Sequence, residues 1–83
     1  MDTIDINILF FGSLKTYFGD NLSMSISKGT QLVNILDILK QKAPESIAEL
    51  SYCKIAVDSV MENENYIIEK SSEIAILPPF SGG

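Results

Sequence analysis

The sequence closes on Pro78-Pro79-Phe80-Ser81-Gly82-Gly83, and this stretch carries a chemistry of its own. Two prolines remove two backbone donors and fix φ, so the segment cannot continue as an ordinary central strand. They favour a stiff, polyproline-like exit. The last two residues have no side chain, and six extended residues reach about 20 Å. A thin tail ending in a free carboxylate fits a narrow tunnel in another protein. A frayed terminus is the ordinary reading of a chain end. At average glycine usage a terminal Gly-Gly arises by chance in roughly one chain in 200. The pair alone is therefore suggestive, and its specificity must come from the rigid lead-in and from the fold behind it.

Other chemistries are excluded by composition. The chain has no His and one Cys, Cys53. A structural zinc site of four Cys or of mixed Cys and His cannot be built, nor can a protein-ligated iron–sulfur cluster; no metal site is expected. A His-based triad or general base is excluded as well. An internal disulfide is impossible, which fits a reducing, cytoplasmic setting. Eleven Asp and Glu oppose six Lys, with no Arg, for a net charge of −5. That balance argues against nucleic-acid binding, which needs clustered cations. The start lacks the basic and apolar regions of a signal peptide, and the longest apolar runs are four residues, so no membrane segment is expected. The carboxylates form no tight pair suited to acid–base work. Glu62 and Glu64 read as solvated residues of a polar loop, and Cys53 reads as a small buried hydrophobe in preference to a persulfide relay.

The elements that must position the tail follow from periodicity. With 83 residues, 46% of them hydrophobic, the chain forms one small domain. Ile4 to Phe11 reads as a strand with Ile4, Ile6, Ile8 and Phe10 on one face and Asp5, Asn7, Leu9 and Phe11 on the other. Gly12 to Gly19 is a connector with one helical turn around Leu14 and Tyr17. Leu22, Met24 and Ile26 alternate with serines, a half-buried strand that closes a hairpin. Thr30 is the expected N-cap of a helix over Gln31 to Lys42, whose apolar stripe is Leu32, Val33, Ile35, Leu36, Ile38 and Leu39. Pro44 stops it, and Glu45 to Leu50 forms a short second helix. Cys53 to Val57 is a third strand. Asp58 to Asn65 is a polar excursion, Tyr66 to Ile68 a short edge strand, and Glu73 to Leu77 the last, continuously apolar strand. This order predicts an α+β, β-grasp domain over residues 1–77 and an extended tail over 78–83. A mixed four- to five-stranded sheet would pack on one main helix, with parallel first and last strands at its centre.

At this point the sequence resembles a known family. Ile8-Leu9-Phe10-Phe11, Ile55-Ala56-Val57-Asp58 and the run from Ile74 to Gly83 look like the small subunit of molybdopterin synthase, a ubiquitin-like sulfur carrier. The likeness spans essentially the whole chain, and its most specific motif is Pro78-Pro79, one further residue, then Ser81-Gly82-Gly83. The family often has Asn where Asp58 stands and Gly in the turn where Ser71-Ser72 stands. The resemblance implies a chain that is not an enzyme alone but the sulfur-donating subunit of a heteromeric sulfurtransferase. The Gly83 carboxylate would be adenylated with ATP by a ubiquitin-activating-like adenylyltransferase and converted to a thiocarboxylate. Pro78, Pro79, Phe80, Ser81 and Gly82 would thread the large subunit, in a heterotetramer of two small and two large subunits. There the sulfur would pass to cyclic pyranopterin monophosphate, and two carriers would supply the two dithiolene sulfurs of molybdopterin. No cofactor would be bound by this chain itself, since ATP serves the activating enzyme.

That chemistry suits the residues. A thiocarboxylate is anionic and nucleophilic at neutral pH and needs no adjacent base, which fits a chain without His. Leu9, Phe11, Ala75 and Leu77 point away from the helix, and as neighbours they would form an apolar patch at the tail's root with Met61 at its margin. The resemblance supports Phe11, Met61 and Leu77 as docking residues and places Lys15 at a position that is usually basic. Three other readings are open. One is a sulfur carrier for thiamine or cysteine synthesis, one a ubiquitin-like protein modifier, and one a β-grasp binding module with an inert tail.

Overall fold

The computed structural model describes residues 2–79. Alternation sets the first hairpin. In β1 (Thr3–Phe10) the side chains of Ile6, Ile8 and Phe10 are buried, and β2 (Asn21–Ser27) returns antiparallel with Leu22 opposite Ile8 and Ile26 opposite Ile4. The connector coils as expected, through a 3₁₀ turn at Gly12–Leu14 and a single helical turn, α1 (Lys15–Phe18). Leu14 is buried, and the Phe18 ring stacks on Phe10 with centroids 4.7 Å apart.

The main helix is capped one residue later than expected. Thr30 is held by a strand: β3 (Thr30–Gln31) pairs with β6 (Ile67–Ile68), and the Thr30 hydroxyl donates to the Ser27 carbonyl at 2.6 Å. Its side chain is therefore not free to cap. Gln31 takes the N-cap position of α2 (Leu32–Lys42), and its N–H donates to Asn34 Oδ1 at 3.3 Å. The helix buries Leu32, Ile35, Leu36 and Leu39, whereas Val33 is half-buried and Ile38 is 38% exposed. The expected stripe was thus too broad. One flat sheet face covers the i, i+3, i+4, i+7 positions and leaves the flanking ones out. After Pro44 the chain passes through a 3₁₀ turn into α3 (Ile47–Ser51), and the buried Ser46 hydroxyl donates to the Ala43 carbonyl at 2.7 Å.

The polar excursion contains an edge strand. β4 (Lys54–Val57) and β5 (Val60–Glu62) form a tight hairpin in which Val57 faces Val60. Its two turn residues, Asp58 and Ser59, both have positive φ, 47° and 72°. That geometry matches the twist of the flanking strands and tolerates Asp. Asp58 also anchors the turn: its Oδ1 accepts from the Glu73 N–H at 2.9 Å, and its own N–H donates to the Glu73 carbonyl at 2.8 Å. Asp58 thus fixes the turn with both its side chain and its backbone. Glu62 consequently lies half-buried on a strand, not in a solvated loop. Of the expected Tyr66–Ile68 strand, β6 pairs only with β3, outside the main sheet.

β7 (Ser72–Leu77) completes a five-stranded sheet of order β2-β1-β7-β4-β5. β1 and β7 run parallel, with Ile8 opposite Ile74 and Phe10 opposite Ile76; the other pairs are antiparallel. This is the β-grasp arrangement. Its core is one cluster in which Ile6, Ile8, Phe10, Ile55, Val57, Ile74 and Ile76 from the sheet meet Leu32, Ile35, Leu36 and Leu39 from α2. Each such side chain contributes roughly 1.5–3 kcal/mol by leaving water. No helix among the described residues is long and apolar enough to cross a membrane.

Candidate functional site

The site is built where β7 ends. Leu77 is the last residue of the ladder, Pro78 is half-buried, and Pro79 is exposed. Pro78 cannot donate to a neighbouring strand, so the chain leaves the sheet there. Phe80, Ser81, Gly82 and Gly83 lie outside the described residues.

Gly12 supports this exit. It has φ +58°, and a Cβ built on it would come within 2.9 Å of the Pro78 ring. The close approach and the left-handed backbone both call for glycine. Gly12→Ala is expected to cost about 1–2 kcal/mol from backbone strain alone, measurable by chemical denaturation, with Pro78 displaced from its seat. The turn that carries Gly12 is tied to α3 by the Ser13 hydroxyl, which donates to the Glu49 carboxylate. Sequence reasoning assigned neither Gly12 nor Glu49 to the site. The only signal was a glycine directly following the apolar end of the first strand.

Register decides which side chains surround the exit. Leu9 faces Ala75, Ala75 faces Ala56, and Ala56 faces Met61, so one row crosses β1, β7, β4 and β5. The core residues on β1, β7 and β4 have the opposite parity, so the row lies on the face away from α2. In the next row towards the tail, Leu77 lies opposite Lys54. Phe11 follows β1 in extended geometry, φ −130° and ψ 156°, and continues the alternation onto the same face as Leu9. Phe11 is 41% exposed and Met61 54%, while Leu9, Ala75 and Leu77 are half-buried.

The same face is polar at its other end. There Asn7 lies between Glu73 and Ser23, and Asp5 lies opposite Ser25. Ser25 donates to Asp5 at 2.7 Å and Ser23 to Asn7 at 3.1 Å. The apolar half of the face is therefore the half next to Pro78. Phe11, Leu77 and Met61 share it, Met61 two strands away from Leu77 with Lys54 on the strand between. Lys15 does not join the row: it stands on α1, 3.7 Å from Asp20, in an ion pair exposed on both sides and worth at most about 1 kcal/mol.

Cys53 is half-buried just before β4, and its thiol donates to the Leu50 carbonyl at 3.2 Å. Burial pushes the thiol pKa up, outweighing the lowering by its backbone hydrogen bond and by Lys40. The thiolate is scarce at neutral pH, which matches a packing role. Alkylation of Cys53 at neutral pH is expected to be several-fold slower in the folded chain than in urea, as read by timed iodoacetamide labelling and mass spectrometry.

Known proteins share the sequence pattern and the fold of this chain. The family model described as ThiS family matches residues 8–83. The chain belongs to the ThiS family. It is 36% identical over 95 aligned positions to the molybdopterin synthase sulfur carrier subunit of Emericella nidulans, with 100% of both chains covered. It is 29% identical to the Arabidopsis thaliana protein of the same description, covering 98% of this chain and 85% of that one. Among solved structures, a Pyrococcus furiosus protein assigned as molybdopterin converting factor, subunit 1, superposes with a TM-score of 0.79 at 13% identity, covering 93% and 99% of the two chains. A Helicobacter pylori chain solved in the complex of subunits 1 and 2 of molybdopterin-converting factor superposes with a TM-score of 0.65 at 23% identity, covering 96% and 100%. The fold of this ThiS-family chain is thus shared with those structures, and the family resemblance seen in its tail and strands holds over its full length.

Proposed function

We propose that this ThiS-family chain is the sulfur-carrying small subunit of molybdopterin synthase, with Gly83 as the carrier residue. One observation carries the reading. The apolar half of the helix-free face surrounds the point where Pro78 and Pro79 lead the chain off the central strand towards Gly82-Gly83. A partner that grips Phe11, Leu77 and Met61 holds the tail's root at a set distance from its own active site. The tail then delivers its end as an oriented group, which replaces a bimolecular encounter with sulfide.

The chemistry begins at the Gly83 carboxylate. It attacks the α-phosphorus of ATP in an activating enzyme, releasing pyrophosphate and leaving an acyl-adenylate. Hydrosulfide then displaces AMP, and the product is a thiocarboxylate. In the large subunit its sulfur forms a bond to a carbon of the pterin precursor as a carbon–oxygen bond there breaks. Water then cleaves the resulting thioester, leaving the sulfur on the pterin and returning the Gly83 carboxylate for another round. The Helicobacter pylori complex supports a large-subunit partner for this chain, and the curated relatives support the molybdopterin branch over other sulfur-carrier pathways.

The test is the intact mass after incubation with ATP, a sulfur source and the cognate activating enzyme. The expected result is a gain of one sulfur for one oxygen, localised by fragmentation to Gly83. No gain with an enzyme that activates a control carrier overturns the proposal.

A further inference from the structure

β2 is an edge strand whose outer side meets no other strand among the described residues. The backbone groups on that side can be identified. The Phe10 N–H donates to the Asp20 carbonyl and the Lys28 N–H to the Asp2 carbonyl. In an antiparallel pair every second residue bonds the partner, so Asp20, Leu22, Met24, Ile26 and Lys28 are turned towards β1. The N–H and C=O groups of Asn21, Ser23, Ser25 and Ser27 are turned outwards; the Ser27 carbonyl already accepts from the Thr30 hydroxyl and can pair only through its second lone pair.

Edges of this kind are normally blunted by a charge, a proline or a bulge. β2 has none: Asn21-Leu22-Ser23-Met24-Ser25-Ile26-Ser27 is uncharged and pairs without interruption along β1. Its apolar side is also incompletely covered. Ile26 is buried, while Leu22 and Met24 are only half-buried. The Ser23 and Ser25 hydroxyls reach inwards to Asn7 and Asp5, leaving the outer edge clear.

We infer that β2 pairs antiparallel with β2 of a second copy of this chain, about a two-fold axis at Met24. That register places Ser23 opposite Ser25 of the second copy and Asn21 opposite its Ser27, so all four outward-facing residues pair. Leu22 and Ile26 then meet on the helix side, and Met24 packs on its own counterpart. The ends are complementary too. The same register places Asp20 opposite Lys28 of the second copy, twice by symmetry, although the chain carries a net charge of −5. Shifting the strands by one residue pair in either direction loses both oppositions. An isologous interface needs such self-complementarity, and it is found here in one register. The pairing leaves β5, Phe11 and Leu77 uncovered and directs the two tails to opposite ends of a continuous sheet.

The experiment is sedimentation velocity of the full chain from about 10 µM to about 1 mM, the range in which a small strand-mediated contact is expected to dissociate. The 9.1 kDa chain is expected to move from monomer to dimer across that range. Ser25→Pro, which removes an outward N–H that the monomer does not use, is expected to stay monomeric with an unchanged circular dichroism spectrum. Asp20→Lys and Lys28→Asp are each expected to weaken dimerisation about tenfold, and the double exchange to restore it. Amide exchange at Asn21, Ser23, Ser25 and Ser27 should slow with concentration, while Leu22, Met24 and Ile26 stay equally protected. A wild-type chain that remains monomeric at the highest concentration overturns the inference. So does a dimer indifferent to both charge reversals. If the chain stays monomeric and Ser25→Pro instead abolishes binding of the large subunit, the edge belongs to a partner's strand, and the inference is overturned in that way.

Discussion

Deletion of Gly83 is expected to abolish sulfur transfer while leaving the domain as stable as before. The two halves of this expectation have separate physical origins. Among the described residues the core cluster ends at Ile76, and the ladder ends at Leu77. Gly83 has no side chain to bury, so the stability change should stay within about 0.5 kcal/mol, the range for changes away from such features. The chemistry depends on where the carboxylate stands. Removing one extended residue draws it back by about 3.5 Å. A misplacement of 1 Å at a reacting centre can already cost 10²-fold, so at least about that loss is expected in single-turnover formation of the dithiolene. Binding to the large subunit should persist, because the apolar face is untouched. A shortened chain that still delivers sulfur at the wild-type rate would sink the carrier mechanism, and a shortened chain that fails to fold would show that the tail supports the domain.

Much of this fold is written in periodicities. Ile4, Ile6, Ile8 and Phe10 repeat every two residues, whereas Leu32, Ile35, Leu36 and Leu39 repeat at helical spacing, so strand and helix are separable by inspection. The continuously apolar Ile74-Ala75-Ile76-Leu77 marks the central strand: Ile74 and Ile76 enter the core, and Ala75 and Leu77 are half-buried on the opposite face. The errors arose where a tertiary partner overruled a local preference. Thr30 is a good cap in isolation, but it is engaged by Ile68, distant in sequence. Val60 to Glu62 looked like loop because a three-residue edge strand is too short to show a period; its evidence is the Asp58-Ser59 turn, legible only as a pair of positive φ angles.

The site was legible in its parts but not in its arrangement. Phe11 and Leu77 could be assigned to the helix-free face by parity alone. That Met61 joins them depends on the register Ala75–Ala56–Met61, which no single strand specifies. Gly12 shows the deeper difficulty. Its function is to be absent where Pro78 passes, and an excluded side chain leaves no pattern in a sequence. The polar end of the same face carries the opposite lesson. The Ser23–Asn7 and Ser25–Asp5 hydrogen bonds satisfy that end internally, which leaves the apolar end as the part with surface still to bury.

Phe11→Asp is expected to weaken docking to both the large subunit and the activating enzyme by roughly 30- to 1,000-fold, at little cost to the fold. Phe11 lies beyond the last β1 pair and is 41% exposed, so its side chain is not part of the core cluster. In a complex its exposed part, 41% of the residue, would become buried, which contributes about 1 kcal/mol of the roughly 1.5–3 kcal/mol for a whole ring. The Asp variant forfeits that contribution and also places a carboxylate against an apolar surface, a further cost of about 1–3 kcal/mol if it finds no partner. Together these set the fold-change. Ile38→Glu is the matched control. Ile38 is 38% exposed, the same charge is introduced, and the residue stands on α2, on the opposite side of the sheet from the tail's root. If exposed apolar area alone drove association, both variants would weaken binding alike. If the face beside Pro78 is what partners grip, only Phe11→Asp does so in titration calorimetry against each partner, and undiminished binding to both would remove the patch from the mechanism and leave the tail to find its tunnel unaided.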